Sequence, residues 1–93
     1  IETIQKVVAE HFGLQVQDLT GPKRPKNIAE ARMLAMYLSR KLTGHSHKEV
    51  GHAFGNRNHA TVIHAVQQTE EMMLKDEETK RLLNTLQRKI QIR

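Results

Sequence analysis

The sequence lacks cysteine and tryptophan, and only three of its 93 residues are aromatic: Phe12, Tyr37 and Phe54. Without cysteine, the chain can form neither a disulfide framework nor a thiolate metal site, which fits a reducing compartment. Because aromatic side chains are so few, the core must be built from aliphatic residues and methionine. Hydrophobic residues make up 38% of the chain, which suffices for one compact domain and leaves little room for a second.

Features that would indicate a membrane protein or an enzyme are also missing. No apolar run approaches the roughly 18 residues needed to span a bilayer, and the first residues do not form a signal peptide. The sequence contains neither a glycine-rich phosphate loop nor a nucleophile elbow, so we expect a binding domain and not an enzyme. Because the chain begins at Ile1 and not at methionine, we expect residues 1–93 to be a single domain from a longer, cytoplasmic protein.

The positive charge is concentrated in one part of the chain. The sequence carries 15 Lys and Arg against 10 Asp and Glu, a net charge of +5. Residues 21–61 hold eight of these cations and only two of the acids, whereas the rest of the chain is nearly neutral. A clustered basic face is typical of a surface that binds polyanions, because phosphates attract Lys and Arg and release counterions on binding.

Apolar residues recur at helical spacing along the chain, and the alternation typical of β-strands is absent. The spacing predicts a first helix over residues 2–12 and another over residues 28–43, the latter capped by Asn27 with Glu30 three positions later. The segment Gly21–Lys26 lies between them, and its two prolines prevent a helix from continuing. We therefore expect a basic loop between helices of an all-α fold.

The most informative segment follows the second of these helices. Ser46 and Glu49 have the spacing of a capping box and should open a short helix. Gly55 and Asn56 suit a tight turn because both tolerate positive φ, and Asn58 is a good N-cap for a longer helix. A short helix, a turn and a longer helix in this order form a helix-turn-helix. The predicted bounds are Ser46–Phe54 for the short helix, Asn58–Lys75 for the longer helix and Asp76 onward for a final amphipathic helix.

A helix-turn-helix reads DNA because the major groove admits one α-helix, whose first exposed side chains reach the base edges. In this chain those side chains are Arg57, Asn58, His59, Ala60, Thr61 and His64. The guanidinium of Arg57 can fork onto guanine or grip a phosphate, and Asn58 can accept from cytosine or pair with adenine. We therefore predict sequence-specific binding of double-stranded DNA.

The histidines and acidic residues do not indicate a metal or catalytic site. Five histidines lie within residues 45–64, but none shows the i, i+4 pairing with a nearby Glu that marks a helical zinc site. The acids over residues 70–78 complement the dipole at the start of the last helix. The alternative that stays open is a basic helical module that binds an acidic protein, or RNA, through charge alone.

The stretches Ala31–Thr43, Glu49–Gly51 and Phe54–Ala65, with His45-Ser46 between them, resemble the C-terminal DNA-binding domain of the bacterial chromosomal replication initiator DnaA. The likeness spans nearly the whole chain, and Phe54–Ala65 matches the family's signature region. It implies a Trp-repressor-like helical domain that recognises TTATCCACA-type boxes in the replication origin and contributes to the initiation of chromosome replication.

The resemblance also implies partners and cofactors. The parent protein would carry an upstream ATPase domain that uses ATP and Mg²⁺, whereas this fragment would need no cofactor. The partners of the fragment would be double-stranded DNA and the other domains and copies of the parent protein. The parent protein would be cytoplasmic and associated with the nucleoid, with no membrane contact.

By position, the resemblance implies a set of DNA-contacting residues. The residues that would read bases in the major groove are Arg57, Asn58, His59, Ala60 and Thr61. Arg24 in the basic loop would enter the minor groove. The residues that would lie near phosphates are Lys23, Lys26, Arg32, Arg40, His47 and Lys48.

The chain departs from the family pattern at the start of the predicted recognition helix. Family members usually read Gly-Gly-Arg-Asp-His-Thr-Thr where this chain has Gly55-Asn56-Arg57-Asn58-His59-Ala60-Thr61. Asn58 replaces a carboxylate that accepts from cytosine amino groups, and an amide donates as well as accepts. Ala60 lacks a hydroxyl. We therefore expect discrimination at the cytosines to weaken or change. The exact sequence of the preferred box stays open, as does the alternative that the chain is a divergent paralogue with altered specificity.

Overall fold

The computed structural model describes residues 1–92, and this part of the chain contains six α-helices and no β-strand. The prediction of an all-α fold is confirmed. None of these helices is long and apolar enough to cross a membrane. The helices are α1 (Glu2–His11), α2 (Val16–Thr20), α3 (Lys26–Leu42), α4 (His47–Ala53), α5 (His59–Lys75) and α6 (Glu77–Gln91).

The core is built around α3, which packs against α1, α2, α4 and α5, while α6 closes the other side by packing on α1 and α5. The apolar residues at helical spacing along α3 are buried except for the last of them, Leu42, which is half-buried. The buried ones are Ile28, Ala31, Leu34, Ala35 and Leu38. Apart from Phe54, the large apolar side chains that are fully buried come from aliphatic residues and methionine, as the shortage of aromatic residues requires. They are Leu19, Leu34, Met36, Leu38, Leu86, Val8, Val50 and Val62.

Helix α3 begins two residues earlier than the sequence predicts. Its N-cap is Pro25 and not Asn27, which lies in the first helical turn. The Pro25 carbonyl accepts from the backbone N–H groups of Ile28 and Ala29 at 3.0 and 2.9 Å. Proline is tolerated at this position because its missing N–H removes no helical hydrogen bond there. The predicted cap at Asn27 is therefore wrong, and the basic loop spans Gly21–Pro25.

The caps predicted for the later helices are confirmed. Ser46 Oγ accepts from the Glu49 N–H at 3.1 Å, and Glu49 Oε1 accepts from the Ser46 N–H at 2.8 Å, which completes the capping box of α4. Hydrogen bonds from Ser46 to the ionised carboxylate, first of all the one from its backbone N–H, and the nearby His45 hold the pKa of Glu49 below its ordinary value. At the start of α6, Asp76 Oδ1 accepts from the Glu78 N–H at 3.1 Å.

Candidate nucleic-acid interface

Helices α4 and α5 form a helix-turn-helix whose turn is closed by backbone contacts. The Arg57 N–H donates to the Gly51 carbonyl at 2.8 Å. A Cβ atom at Gly51 would lie 2.3 Å from the Arg57 carbonyl oxygen, so only glycine allows this approach. Within the turn, Gly55 and Asn56 have φ values of 78° and 58°, which confirms the predicted left-handed turn.

The start of α5 presents a short run of polar and small side chains to solvent. Residues 58–61, which are Asn58, His59, Ala60 and Thr61, are all exposed. Asn58 is the N-cap as predicted, and its Oδ1 accepts from the Ala60 N–H at 2.8 Å. The cap therefore engages the amide oxygen and leaves the amide NH₂ group as the side-chain donor at this helix end.

The structure places Arg57 differently from these neighbours. Its guanidinium turns back to the protein, where Nη2 donates to the Gly21 carbonyl at 2.7 Å and Nη1 donates to the carbonyls of Phe54 and Thr20. The side chain is half-buried, and burial lowers the pKa of Arg57. The predicted base contact would require this guanidinium to leave all three carbonyls.

Arg32, for which a phosphate contact is predicted, is placed still deeper. The residue is only 8% exposed. Its Nε donates to the Leu19 carbonyl at 2.7 Å. Its Nη2 donates to the carbonyls of Asp18, Gly21 and Lys23 at 2.9, 3.2 and 2.9 Å. Because a buried guanidinium needs acceptors and these carbonyls lack helical partners, the side chain serves the interior and not the surface.

The basic residues in the loop, and Lys26 directly after it, are exposed. Lys23 forms an ion pair with Asp18, with Nζ 2.9 Å from Oδ1. This hydrogen bond, followed by one from the Gln15 N–H, lowers the pKa of Asp18. Arg24 is exposed and lies at the edge of an open cleft of about 490 Å³ between the loop and the turn of the helix-turn-helix. Lys26 is also exposed, at the first turn of α3.

A second group of predicted phosphate contacts lies where α3 ends and α4 begins. Arg40 is half-buried, and its Nη1 donates to the His45 carbonyl at 3.2 Å. His47 is the half-buried first residue of α4, and Lys48 after it is exposed. The structure thus gathers the predicted contacts at three places: the basic loop, the start of α5 and the start of α4.

Sequence reasoning missed two features of this region. It did not foresee that the loop carbonyls engage Arg32 and Arg57, although two prolines in a short loop are a sign that the backbone has few partners of its own. It also did not foresee an open groove of about 670 Å³ between α3 and α5, whose apolar lining includes Met33, Met36 and Met72. Within residues 1–92, no three His, Asp or Glu side chains lie close enough together to hold a metal ion.

Comparisons with known proteins agree with this geometry. The family model described as the bacterial DnaA protein helix-turn-helix matches residues 1–69. The chromosomal replication initiator protein DnaA of Thermodesulfovibrio yellowstonii is 49% identical over 90 residues, which are 97% of this chain and 20% of that protein. The DnaA proteins of Cereibacter sphaeroides and Ehrlichia ruminantium are 44% and 48% identical over 98% and 95% of this chain, and over 20% and 19% of their own lengths. The chain thus spans about a fifth of the curated relatives that it matches.

Proposed function

The chain belongs to the bacterial DnaA helix-turn-helix family, and on that premise we propose that it binds TTATCCACA-type boxes of the replication origin. The matched family is a DNA-binding one, so this segment is a DNA-binding module and not an enzyme. The parent protein would use the module to reach the origin before chromosome replication begins. ATP and Mg²⁺ would act in other domains of that protein, and further copies of it would be partners on the DNA. The parent protein would be cytoplasmic and bound to the nucleoid.

The observation that carries this proposal is the exposed start of α5 beside the exposed basic loop. Asn58, His59, Ala60 and Thr61 stand at the N-terminal end of the second helix of a helix-turn-helix, the part of such a motif that reaches base edges. Arg24 lies in the loop that Arg57 joins to this helix start. A major-groove contact by α5 and a minor-groove contact by Arg24 can therefore be made by one rigid unit.

The phosphate contacts of this proposal flank the start of α5. The side chains proposed to hold the DNA backbone on the two sides are Lys23, Lys26, Arg40, His47 and Lys48. The N-terminal end of the α5 dipole adds a partial positive charge for a phosphate. Contacts of this kind set the position of the domain on the duplex, and the base contacts set its sequence preference.

The test is a comparison of duplexes at one fixed salt concentration. Fluorescence anisotropy with the 93-residue chain would measure binding to a box-containing duplex and to a scrambled duplex of equal length and composition. We expect the box to bind more tightly by roughly 10³-fold or more, as specific DNA-binding domains do. Equal affinities, or tighter binding of an RNA of the same charge, would contradict the proposal and favour a basic module that binds through charge alone.

A further inference from the structure

The Gly21 carbonyl oxygen lies between two guanidinium groups that come from different helical segments. It accepts from Arg57 Nη2 at 2.7 Å and from Arg32 Nη2 at 3.2 Å. Arg32 belongs to the middle of α3, and Arg57 precedes the first residue of α5. Two side chains that are distant in the sequence thus hold one carbonyl at the start of the basic loop.

The two arginines bind the end of α2 and the first half of the basic loop. Arg32 also takes the carbonyls of Asp18, Leu19 and Lys23, so it fixes the segment before Gly21 and the residue that precedes Arg24. Arg57 also takes the carbonyls of Thr20 and Phe54, so it ties the loop to the turn of the helix-turn-helix. Within residues 1–92, both guanidiniums donate to backbone carbonyls.

This arrangement is costly and is therefore informative. Burial lowers the pKa of Arg32, and the positive charge of Arg57 lowers it further, so each charge opposes the other across the shared carbonyl. Neutral residues would fill the space without this repulsion. Two guanidiniums supply what neutral side chains do not: planar forks that bind several carbonyls in fixed directions.

The backbone of the helix-turn-helix turn also packs against Thr20, one of the residues whose carbonyl Arg57 binds. A Cβ atom at Gly55 would lie 2.0 Å from the Thr20 carbonyl oxygen. The turn therefore touches the last residue of α2, directly before the loop, where Arg57 bonds both, which leaves the start of the loop little freedom to shift relative to α5.

We propose that Arg32 and Arg57 are positioning residues that clamp the carbonyls of residues 18–21 and 23 and thereby set the distance between Arg24 and the start of α5. This inference rests on the proposed function, because it concerns how two DNA-contacting segments are held in register. Neither guanidinium reads a base in this arrangement. Loss of the clamp should release Arg24 and leave the contacts of Asn58 and His59 in place.

Substitution of Arg57 by Lys separates this role from a contact made through charge. Arg57→Lys keeps the positive charge and removes the fork that holds three carbonyls. We expect its preference for the A·T-rich TTAT segment over a G·C-substituted segment to fall about tenfold, while its preference at the cytosines stays within threefold of the unmodified chain. Arg81→Lys makes the same chemical change on the exposed surface of α6 and should alter neither preference.

A double-mutant cycle gives a second reading of the same proposal. Arg24→Ala should weaken box binding at least tenfold in the unmodified chain and less than threefold in the Arg57→Lys background, because the loop is already released there. Circular dichroism would check that both variants are folded. Additive losses, with equal weakening at every segment of the box, would overturn the clamp and assign Arg57 a phosphate contact.

A measurement on the unmodified chain keeps the proposal testable if the variants do not fold. The NMR signals of the Arg32 and Arg57 guanidinium protons should be resolved in the free chain and should keep their positions when the box duplex binds. Large shifts of the Arg57 signals on binding would overturn the clamp. If the unmodified chain does not distinguish the box from scrambled DNA, the proposed function itself has failed, which is a different outcome from either result for Arg57.

Discussion

The side chain of Asn58 is bound to the backbone of Ala60, with Oδ1 accepting from the Ala60 N–H at 2.8 Å. One residue thus both caps α5 and stands exposed at the helix end proposed to enter the major groove. Because the cap occupies the amide oxygen, the group that Asn58 would present to the DNA is its NH₂ donor. Cytosine also presents a donor in the major groove, its amino group, so the two cannot form a hydrogen bond. The chain therefore carries a mismatched group where its family usually has a carboxylate.

Asn58→Asp should sharpen sequence preference. One carboxylate oxygen can cap Ala60 while the other accepts from a cytosine amino group. We expect the preference for a TTATCCACA-type duplex over variants changed at the cytosines to increase by about 1 kcal/mol per altered pair. The Tm should stay nearly constant, because Asn and Asp are similar N-caps. Anisotropy titrations with a small set of duplexes would measure this, and unchanged preference would show that position 58 does not read bases.

His59→Ala should lower affinity for the box with little effect on scrambled DNA. His59 is exposed at the first position of α5, and a neutral imidazole that reaches a base edge adds no net charge toward phosphates. Anisotropy titrations with the box duplex and the scrambled duplex would measure the two affinities. Equal losses on both duplexes would place His59 on the DNA backbone and not on the bases.

Predictions from the sequence succeeded where the physical cause is local. The caps at Ser46, Asn58 and Asp76 are confirmed because each depends on a side chain and an N–H group within three positions. The cap at Asn27 is wrong because Pro25, two residues earlier, already satisfies the first turn of α3.

The placement of Arg32 and Arg57 could not be predicted in the same way. The acceptors of Arg32 lie 9 to 14 positions away, and Gly21 lies 36 positions from Arg57. A pattern of basic residues shows where charge accumulates along the chain, but not which guanidiniums face inward. Only the packing of α3 against α2 and α5 decides that.

Gly51→Ala should destabilise the domain even though alanine favours helices over glycine by about 1 kcal/mol. The added Cβ would lie 2.3 Å from the Arg57 carbonyl oxygen, and this backbone contact can relax only if the turn moves away from α4. We expect a loss of about 1–3 kcal/mol, as for other overpacked sites, measured by urea unfolding.

Gly44→Ala is the matched control for that variant. A Cβ atom at Gly44 would meet no atom within 4 Å, so its free energy of unfolding should change by less than about 0.5 kcal/mol. If both variants lose the same stability, the close approach of Gly51 to the turn does not limit the fold.

Asp18 should make stability depend on pH on the acid side. Its carboxylate accepts from Lys23 Nζ and from the Gln15 N–H, both at 2.9 Å, and these bonds lower its pKa from the ordinary value of 3.8. A lowered pKa in the folded state means that the stabilisation is present above pH 3.8 and is lost as the pH falls through the folded-state pKa. Asp18→Asn should therefore lower the Tm at neutral pH and approach the unmodified chain in acid. A constant difference in Tm across this range would contradict a role for the charge.

The salt dependence of binding counts the cations that reach phosphates, and the structure narrows that count. Arg32 and Arg57 each donate to three or more backbone carbonyls. The cations that the proposal places against DNA are therefore Lys23, Lys26, Arg40 and Lys48, with Arg24 in the minor groove. About five neutralised phosphates give a slope of log K against log[salt] near −4 to −5.

Lys48 is exposed, so Lys48→Ala should reduce the magnitude of the slope by close to one and weaken box and scrambled duplexes alike. Arg81→Ala on α6 removes the same charge away from the proposed interface and should leave the slope unchanged. A flat salt response of the unmodified chain would contradict DNA binding altogether. A slope near −6, from about seven neutralised phosphates, would mean that Arg32 and Arg57 leave their carbonyls and bind phosphates in the complex.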